Sequence, residues 1–128
     1  MATQCKVVAV VDDDPGMRKA MATLLSALGY CTELFSSGKA FLDAAAASEA
    51  TCLVVDIQLG DISGLEMARQ LVASGCEFPI IFVTACDDEM IHSQAMKFGC
   101  VAYLRKPFSA DLLVEAIVKA IARIPAGG

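Results

Sequence analysis

The chain has no tryptophan, two tyrosines and a single histidine, His92, among its 128 residues. Its six cysteines stand singly, and no Cys-x-x-Cys pair occurs. Because structural zinc is held by paired cysteines and histidines, the sequence argues against a zinc site. A disulfide framework is also not expected in a domain of this size. We therefore expect a reduced, cytoplasmic protein in which cysteines of apolar runs, such as Cys52, act as small hydrophobic residues.

Net positive charge is also lacking, because 15 acidic residues outnumber 10 basic ones and the formal net charge is −5. Nucleic-acid-binding domains carry a basic face, so no direct contact with nucleic acid is expected. No apolar run approaches the roughly 18 residues of a membrane span, and the start, MATQCK, is not a signal peptide, so no membrane association is expected. The length predicts one domain over residues 1–124, and Pro-Ala-Gly-Gly at 125–128 predicts a tail or the start of a linker.

Short apolar runs alternate with amphipathic segments along the chain. Strands are predicted over residues 6–11, 30–35, 51–55, 79–84 and 101–104. Capping residues and glycines mark helix boundaries between them, namely Asp14, Ser63, Asp87 or Asp88, and Ser109 as starts, and Gly29 and Gly99 as ends. Five successive strand–helix units predict an α/β fold, with a parallel sheet covered by helices on both faces.

Polar residues stand where four of these strands end. Asp12 and Asp13 follow the first strand, and Asp56 follows the third. Thr84 ends the fourth strand and Lys106 follows the fifth. If the sheet order is 2-1-3-4-5, these strands are neighbours and their polar groups meet at the edge where ligands bind in such folds. Each residue alone also has a structural explanation, as a turn, cap, strand or solvated loop residue, but the set favours a functional site.

The combination suits phosphoryl chemistry. Crowded carboxylates repel one another, and Mg2+ relieves this repulsion with only one or two carboxylate ligands. A carboxylate can also act as a nucleophile and become an aspartyl phosphate, while the ion neutralises charge during transfer. We expect Asp56 to play this part, with Thr84 and Lys106 holding the remaining phosphoryl oxygens.

Four segments in this order resemble the receiver domain of bacterial two-component response regulators. They are VVDDDP at 10–15, LVVDIQLGDISGLE at 53–66, IIFVTA at 80–85 and GCVAYLRKPF at 99–108. The resemblance covers nearly the whole chain and implies a flavodoxin-like five-stranded parallel sheet in the order 2-1-3-4-5. It also implies that a sensor histidine kinase donates a phosphoryl group to Asp56, and that the domain assists its own phosphorylation and dephosphorylation without being an enzyme.

The resemblance assigns roles to individual residues as well. Thr84 and Lys106 would bind the phosphoryl group, Thr84 and Tyr103 would form the switch, and the Lys106–Pro107 bond would be cis. The Mg2+ site would consist of Asp13, Asp56, the backbone carbonyl of Gln58 and, through water, Asp12.

Three shorter segments, SSGKAFLDA, AMKFG and RKPF, resemble receivers joined to helix-turn-helix output domains. They imply transcription regulation through a DNA-binding output domain outside this chain. The receiver resemblance as a whole also implies homodimerisation on phosphorylation, through the face around the fourth helix, fifth strand and fifth helix. Leu59-Gly60 replaces the Met-Pro that receivers commonly show, which predicts a looser loop after Asp56. His92 is expected on a helix away from the strand ends, as a surface or packing residue rather than a phosphodonor.

Two other classes of protein share parts of this pattern. A haloacid-dehalogenase-like Mg2+-dependent phosphatase uses a nucleophilic Asp, a Thr or Ser and a Lys, but it needs a second Asp where this chain has Gln58. A flavodoxin needs a hydroxyl- and glycine-rich phosphate loop after the first strand, where three aspartates would repel the phosphate of the flavin.

Overall fold

The computed structural model describes residues 6–122, in which five strands alternate with five α-helices. The strands are β1 (Val7–Val11), β2 (Cys31–Phe35), β3 (Cys52–Asp56), β4 (Ile80–Thr84) and β5 (Ala102–Arg105). The helices are α1 (Pro15–Ala27), α2 (Gly38–Ala44), α3 (Gly64–Ala73), α4 (Glu89–Phe98) and α5 (Ala110–Ala122), with a 3-10 turn at Ala45–Ala47. The predicted strand–helix alternation is therefore confirmed, and the predicted tail at 125–128 lies outside the described residues.

All five strands are parallel and lie in the order β2-β1-β3-β4-β5, as predicted. The chain reverses direction across the sheet between β1 and β3, which is where ligands bind in folds of this kind. The register pairs Val11 with Val55, Asp56 with Val83, and Thr84 with Arg105. The carboxyl ends of these four strands are therefore level, and the loops that follow them share one edge.

The core is divided between the two faces of the sheet. Alternate residues of β1 point to opposite sides: Ala9 and Val11 pack in the layer below α2, α3 and α4, whereas Val8 and Val10 pack below α1 and α5. Every residue of β3 and β4 is buried, which explains the apolar runs that precede Asp56 and Thr84 in them. Within residues 6–122, no helix combines the length and the apolar character that crossing a membrane requires.

The predicted capping residues begin the helices. The side chain of Asp14 accepts from the backbone N–H of Gly16, and that of Ser63 accepts from Glu66. Asp88, rather than Asp87, caps α4, and Gly99 ends that helix with a left-handed backbone, φ 88°. These caps satisfy backbone N–H groups that have no partner inside a helix, so they fix where each loop at the carboxyl edge stops.

Candidate functional site

Three carboxylates meet at the carboxyl edge of the sheet. Asp12 and Asp13 follow β1, and Asp56 ends β3. Asp12 and Asp56 are only 2% and 6% exposed, whereas Asp13 is open to solvent. One carboxylate oxygen from each lies within 4.8 Å of the other two. The structure therefore brings together the acidic residues that the sequence singled out.

A single lysine lies between the two buried acids. Lys106 Nζ donates to Asp56 Oδ2 at 2.9 Å and to Asp12 Oδ2 at 3.2 Å. Its backbone N–H donates to the carbonyl of Thr84 at 2.8 Å, and its bond to Pro107 is cis, as the resemblance implied. One ammonium group thus serves two carboxylates, and with Asp13 the site keeps an excess of negative charge.

The pKa values of this cluster reflect burial and mutual charge. Burial raises the pKa of Asp12 above its ordinary value, and the negative charge of Asp56 adds to the rise, although the Asp14 N–H and Lys106 oppose it. Burial by itself lowers the pKa of Lys106, but the hydrogen bonds and charges of Asp56 and Asp12 outweigh it, so the net pKa is raised. Lys106 therefore stays an ammonium throughout the neutral range.

Backbone N–H groups orient the two buried carboxylates. Asp12 Oδ1 accepts from the N–H of Asp14 at 2.9 Å, and Asp56 Oδ1 accepts from that of Gln58 at 2.8 Å. Each acid therefore has one oxygen held by the residue two positions on and the other held by Lys106. Arg18 adds a bond that sequence reasoning missed, because its Nη1 donates to the carbonyl of Asp12 at 2.7 Å.

Thr84 lies beside this cluster, in the strand next to that of Asp56. Its side chain is fully buried, and its Oγ1 accepts from the backbone N–H of Cys86 at 3.0 Å. The hydroxyl keeps its proton available for another acceptor. Thr84 thus links the site to the loop that leads into α4.

The role of the Gln58 carbonyl as a metal ligand remains a prediction.

Gly64 and Asp61 fix the course of the loop after Asp56. A Cβ on Gly64 would lie 2.6 Å from the carbonyl oxygen of Asp56, so only glycine allows α3 to begin there. Asp61 accepts from the N–H groups of Gly38 at 3.2 Å and Lys39 at 2.9 Å, at the start of α2. These bonds, led by that from Lys39, lower the pKa of Asp61 below its ordinary value although burial opposes them. The loop that Gly60 was predicted to loosen is therefore tied to α2.

Tyr103 lies in β5, opposite Phe82 of β4. Its ring stacks on that of His92, with ring centroids 4.4 Å apart and planes inclined by 23°. Its hydroxyl is buried and has no hydrogen-bond partner among residues 6–122. Burial raises the pKa of this phenol, and nearby negative charges add to the rise. His92 is exposed on α4, as the sequence predicted, but its contact with Tyr103 was not foreseen.

Comparison with known proteins identifies the class of this fold and site. The family model described as "Response regulator receiver domain" matches residues 8–118. The response regulator protein TodT of Pseudomonas putida is 34% identical over 125 residues, which cover 98% of this chain and 55% of TodT. The transcriptional regulatory protein FixJ of Bradyrhizobium diazoefficiens is 37% identical over 112 residues, which cover 88% of this chain and 55% of FixJ.

Solved structures agree with these matches. The crystal structure of FixJ-N superposes with a TM-score of 0.89 at 32% identity, over 96% of this chain and 98% of that one. The response regulator StyR gives a TM-score of 0.86 at 34% identity, over 93% of this chain and 60% of that one.

The chain therefore belongs to the response regulator receiver domain family, and it is a receiver module of two-component, phosphoryl-accepting signalling. The resemblance noted in the sequence is confirmed. The haloacid-dehalogenase-like alternative is not supported, because the second acid which that chemistry needs is absent at Gln58 and the family match lies elsewhere. The flavodoxin alternative is likewise not supported, because the family match is to receiver domains, although the strand order is that of flavodoxin. This chain spans a little over half the length of the relatives TodT and FixJ.

Proposed function

We propose that Asp56 accepts a phosphoryl group from a sensor histidine kinase. In this step an oxygen of the Asp56 carboxylate forms a bond to phosphorus while the bond from phosphorus to the kinase imidazole breaks. The observation that carries the proposal is the setting of Asp56 at the carboxyl edge, where it contacts Lys106 and lies close to two further acids. A carboxylate oriented in advance by a backbone N–H and an ammonium group is well placed for such a displacement.

Two residues would hold the phosphoryl oxygens as charge moves onto them. Lys106 already contacts the Asp56 carboxylate at 2.9 Å, so its ammonium lies next to the position of the new group. The hydroxyl of Thr84 is buried in the neighbouring strand and can donate to a phosphoryl oxygen. These are charge-assisted hydrogen bonds, which are stronger than those between neutral groups.

The acidic cluster fits Mg2+. Three carboxylates with oxygens within 4.8 Å of one another offer the hard oxygen donors that this ion prefers. Asp13 and Asp56, with the backbone carbonyl of Gln58, would hold the ion, and Asp12 would act through water. When bound, Mg2+ neutralises charge during phosphoryl transfer. In this proposal the domain assists its own phosphorylation and dephosphorylation, and it does not turn over a separate substrate.

The state of Asp56 would control a partner beyond this chain. We assign the receiver to residues 1–124, which the family match over 8–118 supports, and residues 125–128 to a tail or linker. The aligned region covers only 55% of TodT and of FixJ, and FixJ is a transcriptional regulatory protein, which supports a DNA-binding output domain outside this chain. Phosphorylation would favour homodimers formed through the face of α4, β5 and α5. With a histidine kinase donor and a DNA-binding output, this signalling would take place in the cytoplasm.

Intact-protein mass spectrometry tests the phosphorylation site. After incubation with acetyl phosphate and Mg2+, the wild type should gain the mass of one phosphoryl group. Asp56→Asn should gain none, because an amide is nearly the same shape but is not a nucleophile. Asp61→Asn is the matched control, since Asp61 is an exposed acid of the same loop, and it should be labelled like the wild type. Full labelling of Asp56→Asn would place the phosphoryl group on another residue.

A further inference from the structure

The contact between α4 and β5 depends on few side chains. Ala95 is the only residue of α4 that is fully buried. At the N-terminal half of this helix, the exposed ring of His92 covers the ring of Tyr103. Both rings, with Cys86, border a cavity of about 170 Å³ beside the β4–α4 loop. The stacked pair is therefore one side-chain link between β5 and α4.

The buried orientation of the Tyr103 side chain is unfavourable for its hydroxyl unless another contact stabilises it. It is buried without a hydrogen-bond partner among the described residues, and a buried polar group in that state loses the bonds that water would give it. A rotation of the side chain toward solvent would restore those bonds. Stacking on His92 opposes that rotation, because offset aromatic contact is favourable beyond the area it buries.

We propose that His92 is a positioning residue for Tyr103, holding its ring in the buried orientation before Asp56 is phosphorylated. In the proposed function, phosphorylation favours this same buried orientation. The strength of the stacking on His92 therefore sets how much of the Tyr103 population is left to shift when the domain is phosphorylated. This inference rests on the proposed function, since it concerns how the state of Asp56 is transmitted. A weaker partner at position 92 leaves Tyr103 more often in solvent and so enlarges the change that phosphorylation produces.

The composition of the chain allows a direct test. Tyr30 and Tyr103 are the only tyrosines, so ring signals of protein labelled at tyrosine can be assigned with Tyr103→Phe. In the unphosphorylated protein, His92→Ala should remove the upfield ring-current shift of the Tyr103 signals. His92→Phe should retain or increase it, because a phenyl ring can stack on Tyr103 as the imidazole does. Gln94→Ala, at another exposed position of α4, is the matched control and should leave the signals unchanged.

Beryllium fluoride with Mg2+, a phosphoryl mimic, extends the test to transmission. The change in the Tyr103 signals on adding the mimic should be larger in His92→Ala than in the wild type or His92→Phe. Unchanged Tyr103 signals in unphosphorylated His92→Ala would overturn the inference, as would His92→Phe behaving like His92→Ala. Failure of the wild type to bind the mimic would count against the proposed function instead, and the comparison without the mimic would still decide the role of His92.

Discussion

At the scale of single residues, the site has a charge imbalance. Two buried carboxylates, Asp12 and Asp56, share one ammonium group, and Asp13 adds a third negative charge at the solvent side. Buried charges are tolerated when they are paired and hydrogen-bonded. Here each of the two acids is paired with the Lys106 ammonium group and accepts one hydrogen bond from a backbone N–H. The remaining negative charge explains why a cation should bind to the resting domain.

Mg2+ should therefore stabilise the unphosphorylated domain. A ligand that binds only the folded state, present at 100 times its dissociation constant, adds about 2.7 kcal/mol to the free energy of unfolding. Thermal melts with excess Mg2+ should lie above melts with excess chelator, and Asp13→Ala should shrink this difference. Glu115→Ala, which removes an exposed acid of α5, should keep it. Equal melting temperatures with and without the ion in the wild type would argue against a metal site.

The residues of this site were predictable to different degrees. The acids, Thr84 and Lys106 could be predicted to converge, because each follows a recognisable buried strand and parallel strands end at one edge. Two contacts could not be foreseen: the bond from Arg18 to the Asp12 carbonyl and the stacking of His92 on Tyr103. Both depend on side-chain orientation across elements, and neither leaves a periodic or spacing signal in the sequence.

At the scale of elements, the sequence predicts helix caps well when the capping residue is adjacent to the helix that it caps. Asp14, Ser63 and Asp88 cap helices that begin at the next residue, so the signal and its effect are adjacent. Asp61 acts instead on Gly38 and Lys39, more than twenty positions earlier, at the start of α2. Its role follows from the tertiary arrangement of β3, its loop and α2, which sequence spacing does not encode.

Asp61 should stabilise the domain by joining these two elements. Asp61→Ala removes two hydrogen bonds to backbone N–H groups at a helix start, which should lower the free energy of unfolding by about 1 kcal/mol at neutral pH. Because the folded-state pKa of Asp61 is lowered, this contribution is present above the ordinary Asp pKa and is lost as pH falls through the folded value. Urea unfolding at several pH values measures it.

The control for this experiment is Asp43→Ala, which removes an exposed acid from α2 itself. It should change stability by only a few tenths of a kcal/mol. The difference between Asp61→Ala and the wild type should be largest near pH 7 and should shrink below about pH 4. A difference that stayed constant down to acid pH would show that the charge of Asp61 is not what holds the loop to α2.

At the scale of the whole molecule, adjacent strands connect the site around Asp56 to the face formed by α4, β5 and α5. Asp56 lies beside β4, Thr84 ends β4, and Tyr103 lies next in β5. The hydroxyl of Thr84 also holds the N–H of Cys86, in the loop that leads into α4. A displacement of Thr84 would therefore act on both β5 and the loop into α4, which belong to the face formed by α4, β5 and α5.

Transmission along this route should depend on the hydroxyl of Thr84. When a phosphoryl group forms on Asp56, that hydroxyl gains a charged acceptor and should move toward it, carrying the Cys86 N–H and the start of the α4 loop with it. Thr84→Ala removes the donor but leaves Asp56, Lys106 and the acidic cluster in place. The variant should therefore still bind beryllium fluoride with Mg2+, whereas the NMR shift changes around Tyr103 should be smaller than in the wild type.

The control variant is Thr23→Ala, at an exposed position of α1, which should respond as the wild type does. Since a bound group shifts a conformational population only by its differential interaction with the two states, an undiminished response at Tyr103 in Thr84→Ala would mean that another contact of the phosphoryl group, such as that with Lys106, carries the coupling.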